Sequence, residues 1–303
     1  MTTSSTSALT ANLLCVLSMV IWAAGISAAD LVIPLLLPEQ LNALRMGLSA
    51  LFLVVIWCGS EGFGPIRRAN WIKGTLVGSL IGLGAWFLVL GQARGGAVTV
   101  AVISATMPVV GIALEVFLDG RKLTLALVLG LILAVAGGFM ALDFHAGGLS
   151  LGLGALFCFA SVISFTLGSR LTVTAFPGES ALGRTAISLV GATIATVTVV
   201  VLQTLAGVAL PSFAAWGLRE TGALLLFSVG AVGIAQWLFV KAVGRIGIGL
   251  TTLHMNVTPF YVMLILFAAG AAWNWTDALA AAIVGLGVLI AQGVIPMPQR
   301  SQT

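Results

Sequence analysis

Charged residues are scarce in this chain: they make up 7% of its 303 residues, against roughly a quarter in an average soluble protein. Hydrophobic residues make up 60%, and the mean hydropathy is +1.17. This composition excludes an ordinary soluble domain and indicates a membrane protein. The 13 basic residues are scattered between apolar runs and form no stripe that could follow a phosphate backbone, which excludes nucleic acid as a partner.

Cysteines and buried acids are also scarce. The three cysteines, Cys15, Cys58 and Cys158, lie in apolar segments without CxxC or metal-ligand spacing, so we expect small buried side chains there. No carboxylate lies clearly in the middle of an apolar run, which disfavours a buried proton carrier, a charged cation site and a carrier of cationic drugs. The sequence predicts neither a metal nor a cofactor.

Glycine is abundant, but no phosphate-binding loop is present. Gly74, Gly78 and Gly82 recur at steps of four, with no strand before them and no lysine or acidic partner after them. Because small residues at this spacing let helices approach closely in lipid, we expect these glycines to pack against a neighbouring helix.

Ten apolar segments are long enough to cross a bilayer, which takes about 20 helical residues. They are apolar all round and lack the alternation of a membrane β-strand. The sequence therefore predicts an all-α membrane protein with ten transmembrane helices. The predicted spans are 9–29, 40–58, 74–92, 96–117, 123–142, 149–169, 180–206, 220–240, 247–269 and 277–295.

Lysine and arginine favour one side of these spans. With the amino terminus inside the cell, nine of them lie in the inner loops and tail, and two, Arg94 and Arg219, lie in outer loops. Inner loops of membrane proteins carry an excess of Lys and Arg, so both termini are expected in the cytoplasm. The nine are Arg67, Arg68, Lys73, Arg121, Lys122, Arg170, Lys241, Arg245 and Arg300.

Two sets of residues recur at a constant distance along the chain, and this pattern predicts two five-helix repeats, residues 1–145 and 146–303. Because five is odd, the second repeat would enter the membrane in the opposite sense, as in inverted-repeat transporters. Arg45 and Arg184 are then expected near the outer and inner surfaces, where their side chains extend into water. The recurring sets are Trp86, Arg94, Gly96 and Pro108 with Trp237, Arg245, Gly247 and Pro259, 151 residues on, and Pro38 and Arg45 with Pro177 and Arg184, 139 residues on.

The stretch 247–267 carries polar residues in the middle of an apolar span. Hydrocarbon penalises unpaired polar groups, and proline removes a helical hydrogen bond, so we expect these residues to face a protein-lined or water-filled interior. Hydroxyls and amides bind ammonium and carboxylate groups, while aromatic rings accept an apolar side chain. The predicted substrate-binding residues are Trp22, Trp86, Ser104, Thr106, Ser164, Gln236, Trp237, His254, Asn256, Thr258 and Tyr261. The predicted hinges are Gly96, Pro108, Gly247 and Pro259, and no catalytic residue is predicted.

Four blocks of sequence resemble a known family. They are Val20-Ile21-Trp22-Ala23, Pro38 to Arg45, Trp86 to Pro108 and Trp237 to Pro259. Together they resemble the EamA-type members of the drug/metabolite transporter superfamily, and among these the YddG-type exporters of aromatic and other neutral amino acids. The resemblance implies an exporter of the bacterial inner membrane with a central cavity between the repeats. One departure is that Asp119-Gly120-Arg121-Lys122 precedes Leu123-Thr124, where family members commonly carry a glutamate.

These observations predict a secondary transporter, an exporter or facilitator, of small organic solutes, with aromatic and other neutral amino acids as the expected substrates. Its partners would be the small-molecule substrate and membrane lipid, and it would work by alternating access. The alternatives are a carrier of other metabolites or drugs, an intramembrane enzyme and a non-transporting scaffold. An enzyme would need a clustered nucleophile, an acid–base pair or a metal set, and the sequence offers only His254 with hydroxyl neighbours.

Overall fold

The structure, a computed structural model, describes residues 2–120, 124–140, 149–214, 216–239, 241–242 and 254–291. Within these ranges the chain forms helices and connecting turns without a β-strand, which confirms the all-α prediction. The first six helices are α1 (Thr2–Val32), α2 (Pro38–Glu61), α3 (Phe63–Arg68), α4 (Trp71–Ser104), α5 (Met107–Asp119) and α6 (Leu125–Met140). The next five are α7 (Leu149–Ala175), α8 (Ala181–Leu205), α9 (Leu218–Leu225, continued by a π-helix at Leu226–Ile234), α10 (Thr258–Ala268) and α11 (Trp275–Ala291).

Six helices in the described part of the chain are long and apolar enough to cross a membrane. Four shorter apolar helices overlap the other predicted spans: Met107–Leu118, Leu125–Gly137, His254–Ala268 and Trp275–Ala291. The prediction of a multi-pass membrane protein is therefore supported. The six long helices are Thr10–Leu35, Pro38–Glu61, Trp71–Ser104, Gly152–Ala175, Ala181–Leu205 and Leu218–Phe239.

Helix α4 bends at Gly96, the first residue of the predicted span 96–117. Gly96 has φ 72° and ψ 176°, a conformation essentially confined to glycine because it lacks a Cβ. A second interruption follows at Ala105 and Thr106, after which α5 begins at Met107 with Pro108 as its second residue. The predicted span 96–117 is thus not one continuous helix, and its interruption lies directly before Pro108, one of the predicted hinge positions. Proline lacks a backbone N–H and fits the first turn of a helix, so Pro108 begins the new helix rather than bending an existing one.

The predicted span 247–269 is interrupted in a similar way. A 3₁₀ turn covers His254–Val257, and α10 then begins at Thr258 with Pro259 in its first turn. The predicted hinge Gly247 lies outside the described residues. Both interruptions put a proline at the start of a short apolar helix.

The helices pack around three apolar clusters. The first cluster joins α1, α2, α4, α7, α9 and α10, and its members include Ile26, Leu41, Val89, Cys158 and Phe227. The second joins α2, α4, α7, α8 and the π-helix, with Trp57 and Ile187 fully buried in it. The third joins the end of α4 to α5, α6, α10 and α11. The first cluster therefore lies where the two predicted repeats meet.

The glycines of α4 confirm the prediction of close helix packing. A Cβ on Gly78 would collide with backbone atoms of Ser188 and Ala192 in α8. A Cβ on Gly74 would lie 2.6 Å from Ile187 Cγ2, and one on Gly82 would lie 3.1 Å from Thr196 Cγ2. The contacts advance in the same direction along both helices, so α4 and α8 run parallel. The cysteine prediction is confirmed for Cys15 and Cys158, which are buried, whereas Cys58 is half-buried.

Candidate functional site

Two of the predicted aromatic residues lie beside the first cluster. Trp22 of α1 and Tyr261 of α10 are both partly buried and pack against it, together with Phe159 of α7. Aromatic rings that are neither fully buried nor exposed are suited to contact an apolar ligand side chain. The sequence analysis did not include Phe159, because an aromatic residue in an apolar span has no signal that separates a lining position from a core position.

Two predicted hydroxyls already have partners inside the protein. Thr258 is 2% exposed, and its Oγ1 donates to Met19 Sδ of α1 at 3.3 Å. Thr106 is 1% exposed and donates to the carbonyl of Ile103 at 2.6 Å, across the interruption between α4 and α5. In this conformation both hydroxyls stabilise the interrupted helices.

Asn256 differs from these threonines. It lies in the 3₁₀ turn before α10, and its Oδ1 is enclosed but accepts no hydrogen bond. A buried polar atom without a partner costs roughly 1–3 kcal/mol, so this oxygen is suited to accept a hydrogen bond from a ligand. His254, in the same turn, is half-buried, as are Ser104 at the end of α4 and Ser164 in α7.

Two counterpart tryptophans each contact a charged side chain. Trp86 Nε1 donates to Glu39 Oε1 at 3.2 Å, and Glu39 lies in the first turn of α2. Trp237 packs against the second cluster, and Lys241 Nζ lies 3.9 Å from the centroid of its ring. Gln236, the residue before Trp237, is half-buried. The structure therefore brings Trp22 and Tyr261 to one cluster and Trp237 to another.

Arg45 is the residue that sequence reasoning missed. It was expected at the outer edge of its helix, but it is 3% exposed, and its Nε and Nη1 have no hydrogen-bond partner. Its guanidinium carbon lies 4.0 Å from the centroid of the Phe227 ring. A desolvated cation–π contact is worth about 2 kcal/mol, whereas burying an unpaired ion costs several kcal/mol. The contact with Phe227 alone therefore does not compensate the burial of this charge.

The error on Arg45 has a structural cause. The equal spacing of Pro38–Arg45 and Pro177–Arg184 suggested equal depths for the two arginines. Helix α2 begins at Pro38 itself, which places Arg45 about two turns inside, whereas α8 begins only at Ala181, which leaves Arg184 in its first turn. Arg184 donates to the carbonyls of Glu179 at 2.8 Å and Val173 at 3.4 Å. In this conformation the Arg184 guanidinium therefore bonds to the backbone through its Nη atoms, whereas Nε and Nη1 of Arg45 bond to nothing.

Hydrogen bonds of one polar side chain, Gln92, also join α4 to α1 near the predicted outer side of the membrane. Gln92 Nε2 donates to the carbonyl of Ile26 at 2.6 Å and to Asp30 Oδ1 at 2.9 Å. Asp30 lies in the last turn of α1. On the other side, Glu61 Oε1 accepts from Ser180 Oγ at 2.7 Å and links α2 to α8.

Comparison with family models finds a match in the first part of the chain. Residues 9–142 match the model of the EamA-like transporter family. This region is EamA-like. It contains α1, α2, α4, α5 and α6, and with them Trp22, Arg45 and Trp86. The match supports the predicted drug/metabolite transporter superfamily for this region, and the six long apolar helices support a multi-pass membrane protein.

The fold extends beyond the EamA-like region. Among solved structures 17 chains match, and one of them, a protein crystal structure, has a TM-score of 0.64 and 21% sequence identity. That similarity covers 93% of this chain and 96% of the other, so both halves take part in a known fold. No curated protein matches the chain significantly.

Proposed function

We propose that the protein is a secondary transporter of small organic solutes and that its substrates are aromatic and other neutral amino acids. It works by alternating access between two inverted five-helix repeats, residues 1–145 and 146–303, that supply ten spans with both termini in the cytoplasm. Its location is the inner membrane of a bacterial cell. The proposed direction is export, as in the YddG-type proteins that the sequence resembles.

The observation that carries this proposal is the pair of interrupted helices. Thr106 and Pro108 flank the start of α5, and Val257 and Pro259 flank the start of α10, 151 residues later. Broken helices at matching places in two halves are typical of secondary transporters, where they lie at the substrate site. Irregular backbone within a membrane is tolerated only where protein or water surrounds it.

Helix packing supports the inverted relation of the repeats. Spans that would be counterparts run antiparallel: α2 against α8, through Gly47 with Thr193 and Gly183 with Trp57. Helix α6 likewise lies antiparallel to α11. The antiparallel pair α4 and α7 has its expected counterpart in α9 and α1, where a Cβ on Gly25 would lie 2.5 Å from Ala231 Cβ.

The side chains near the first cluster support the proposed substrate class. Trp22, Phe159 and Tyr261 offer aromatic surface for an apolar side chain, and Asn256 Oδ1 offers a free acceptor for an ammonium group. The other predicted binding residues complete the proposed site when the helices rearrange. Gly96, with its positive φ, and the prolines that begin α5 and α10 are the proposed hinges in the described residues.

Uptake into proteoliposomes tests the proposal. The purified protein is expected to move labelled phenylalanine, tryptophan and leucine above empty vesicles, with and without a pH gradient. Insensitivity to the gradient supports a facilitator, and dependence on it supports a coupled transporter. If none of a panel of neutral amino acids moves but another metabolite or a drug does, the proposed substrate class is wrong. If no solute moves at all, the scaffold alternative gains support.

A further inference from the structure

Arg45 places a cationic group in the apolar interior between the two repeats. We propose that Arg45 binds the carboxylate group of the transported solute. This inference rests on the proposed transport function and adds to it the chemical group by which the substrate is recognised.

The state of the guanidinium is the first argument. Arg45 is the one charged side chain among the buried residues that the structure describes. Its Nε and Nη1 together carry three N–H donors, and neither nitrogen has a hydrogen-bond partner. The ring of Phe227 covers the guanidinium at 4.0 Å, which leaves its edges for hydrogen bonding. Hydrogen bonds from guanidinium N–H groups to carboxylate oxygens are charge-assisted and about twice as strong as those between neutral groups.

The position of Arg45 is the second argument. Its helix, α2, lies in the EamA-like region, whereas Phe227 belongs to the π-helix in the second half. Ser49 Oγ joins the two elements, since its hydroxyl lies within hydrogen-bond distance of the carbonyl oxygens of Arg45, at 2.6 Å, and Ser228, at 2.9 Å. Arg45 therefore lies where the two halves of the protein contact each other. Because the site is closed in this conformation, the ligand would reach it when α2 and the π-helix separate.

The charge balance favours a carboxylate over a phosphate. One guanidinium neutralises one carboxylate, whereas a phosphate dianion requires a second cation. No second basic residue belongs to the buried set in the described ranges. Arg184, the counterpart in the other repeat, is half-buried and bonded to backbone carbonyls. This difference makes Arg184 a matched control.

Paired ligands test the inference on the full-length protein. Calorimetric titration compares L-phenylalanine with its amide, and 3-phenylpropionate with its amide. A site built to pair with a carboxylate rejects the amide, so each acid is expected to bind at least about tenfold more tightly than its amide. The variants Arg45→Gln and Arg45→Met are expected to remove this preference, Arg45→Lys to reduce it, and Arg184→Gln to retain it.

Thermal unfolding separates recognition from a structural role. Replacing an unpaired buried charge by an apolar side chain is expected to keep or raise the Tm of ligand-free protein, so Arg45→Met should be no less stable than wild type. A lower Tm for Arg45→Met, or an acid preference that survives in Arg45→Gln, overturns the inference. Transport of amino acids by a wild type that binds acid and amide equally also overturns it, although the transport function then stands. Arg45-dependent binding of acids without amino-acid transport supports the carboxylate site and contradicts the proposed substrates.

Discussion

Gly78 of α4 lies against the backbone of Ala192 in α8 with no room for a Cβ between them. The two helices belong to different predicted repeats and join them along the second apolar cluster. The backbones of α4 and α8 can approach this closely only because residue 78 has no Cβ. Small residues are known to control helix association in membranes in this way.

The variant Gly78→Ala is expected to lower stability by about 1–3 kcal/mol, because its added methyl group overpacks the α4–α8 contact. The matched control is Gly285→Ala in α11, where a Cβ would meet nothing within 4 Å. There the higher helix propensity of alanine is expected to raise stability by up to about 1 kcal/mol. Thermal unfolding in detergent measures both variants. Changes of the same sign would contradict the packing described here.

The variant Gly96→Ala is expected to destabilise the protein by roughly 1–3 kcal/mol, because φ 72° with ψ 176° is strained for any residue with a Cβ. No atom lies within 4 Å of the position of that Cβ, so the cost would come from the backbone and not from a clash. If helix α4 straightens instead, the unfolding temperature changes little and the flux in proteoliposomes falls. Unchanged stability together with unchanged flux would refute the assigned bend.

The variant Asn256→Ala is expected to lower substrate affinity by about tenfold, since it removes one hydrogen bond to a charged ligand group. Its Oδ1 has no partner in the protein, so the Tm of the ligand-free form is expected to stay within a few degrees of wild type. Thr258→Val is the comparison, because that hydroxyl donates to Met19 Sδ and its loss should lower the Tm. Unaltered affinity in Asn256→Ala would remove Asn256 from the proposed site.

The variant Ser180→Ala is expected to lower stability by about 1–2 kcal/mol through the loss of an N-cap. Ser180 Oγ accepts from the N–H of Gly183 at 2.9 Å and donates to Glu61 Oε1 at 2.7 Å. Ser180→Asp keeps the cap but places a carboxylate against Glu61, so it should be less stable than wild type and should recover as salt is raised. Equal stability of the three proteins across salt concentrations would show that this link between α2 and α8 contributes nothing.

The sequence predicted the helical membrane architecture because that property is distributed over the whole chain. Hydropathy summed over about 20 residues gives the spans, and glycines at steps of four gave the close packing of α4 correctly. Prolines at 108 and 259 marked both interrupted regions. The exact residues of the first interruption, Ala105 and Thr106, could not be predicted, because neither residue type signals a break.

Side-chain environments were harder to predict than the helices. Arg45 and Arg184 have the same spacing from a proline, yet Arg45 has no hydrogen-bond partner at Nε or Nη1, whereas Arg184 donates through both Nη atoms to backbone carbonyls. Their depth depends on the residue at which each helix begins, and a sequence pattern places such ends only within several residues. From the sequence, Thr106 and Thr258 were predicted to bind substrate. Their hydrogen-bond partners, Ile103 and Met19, can be identified only once the helices pack.

The π-helix at Leu226–Ile234 sets the rotation of the chain that follows it. Each residue of an α-helix advances by about 100° around its axis, so one residue more or less turns every later side chain by that angle. A deletion within the π-helix would let its backbone tighten into an ordinary α-helix. Trp237, which follows the π-helix, would then turn away from the second cluster. The number of residues in this one stretch therefore determines which side chains the second half of the protein presents to the first.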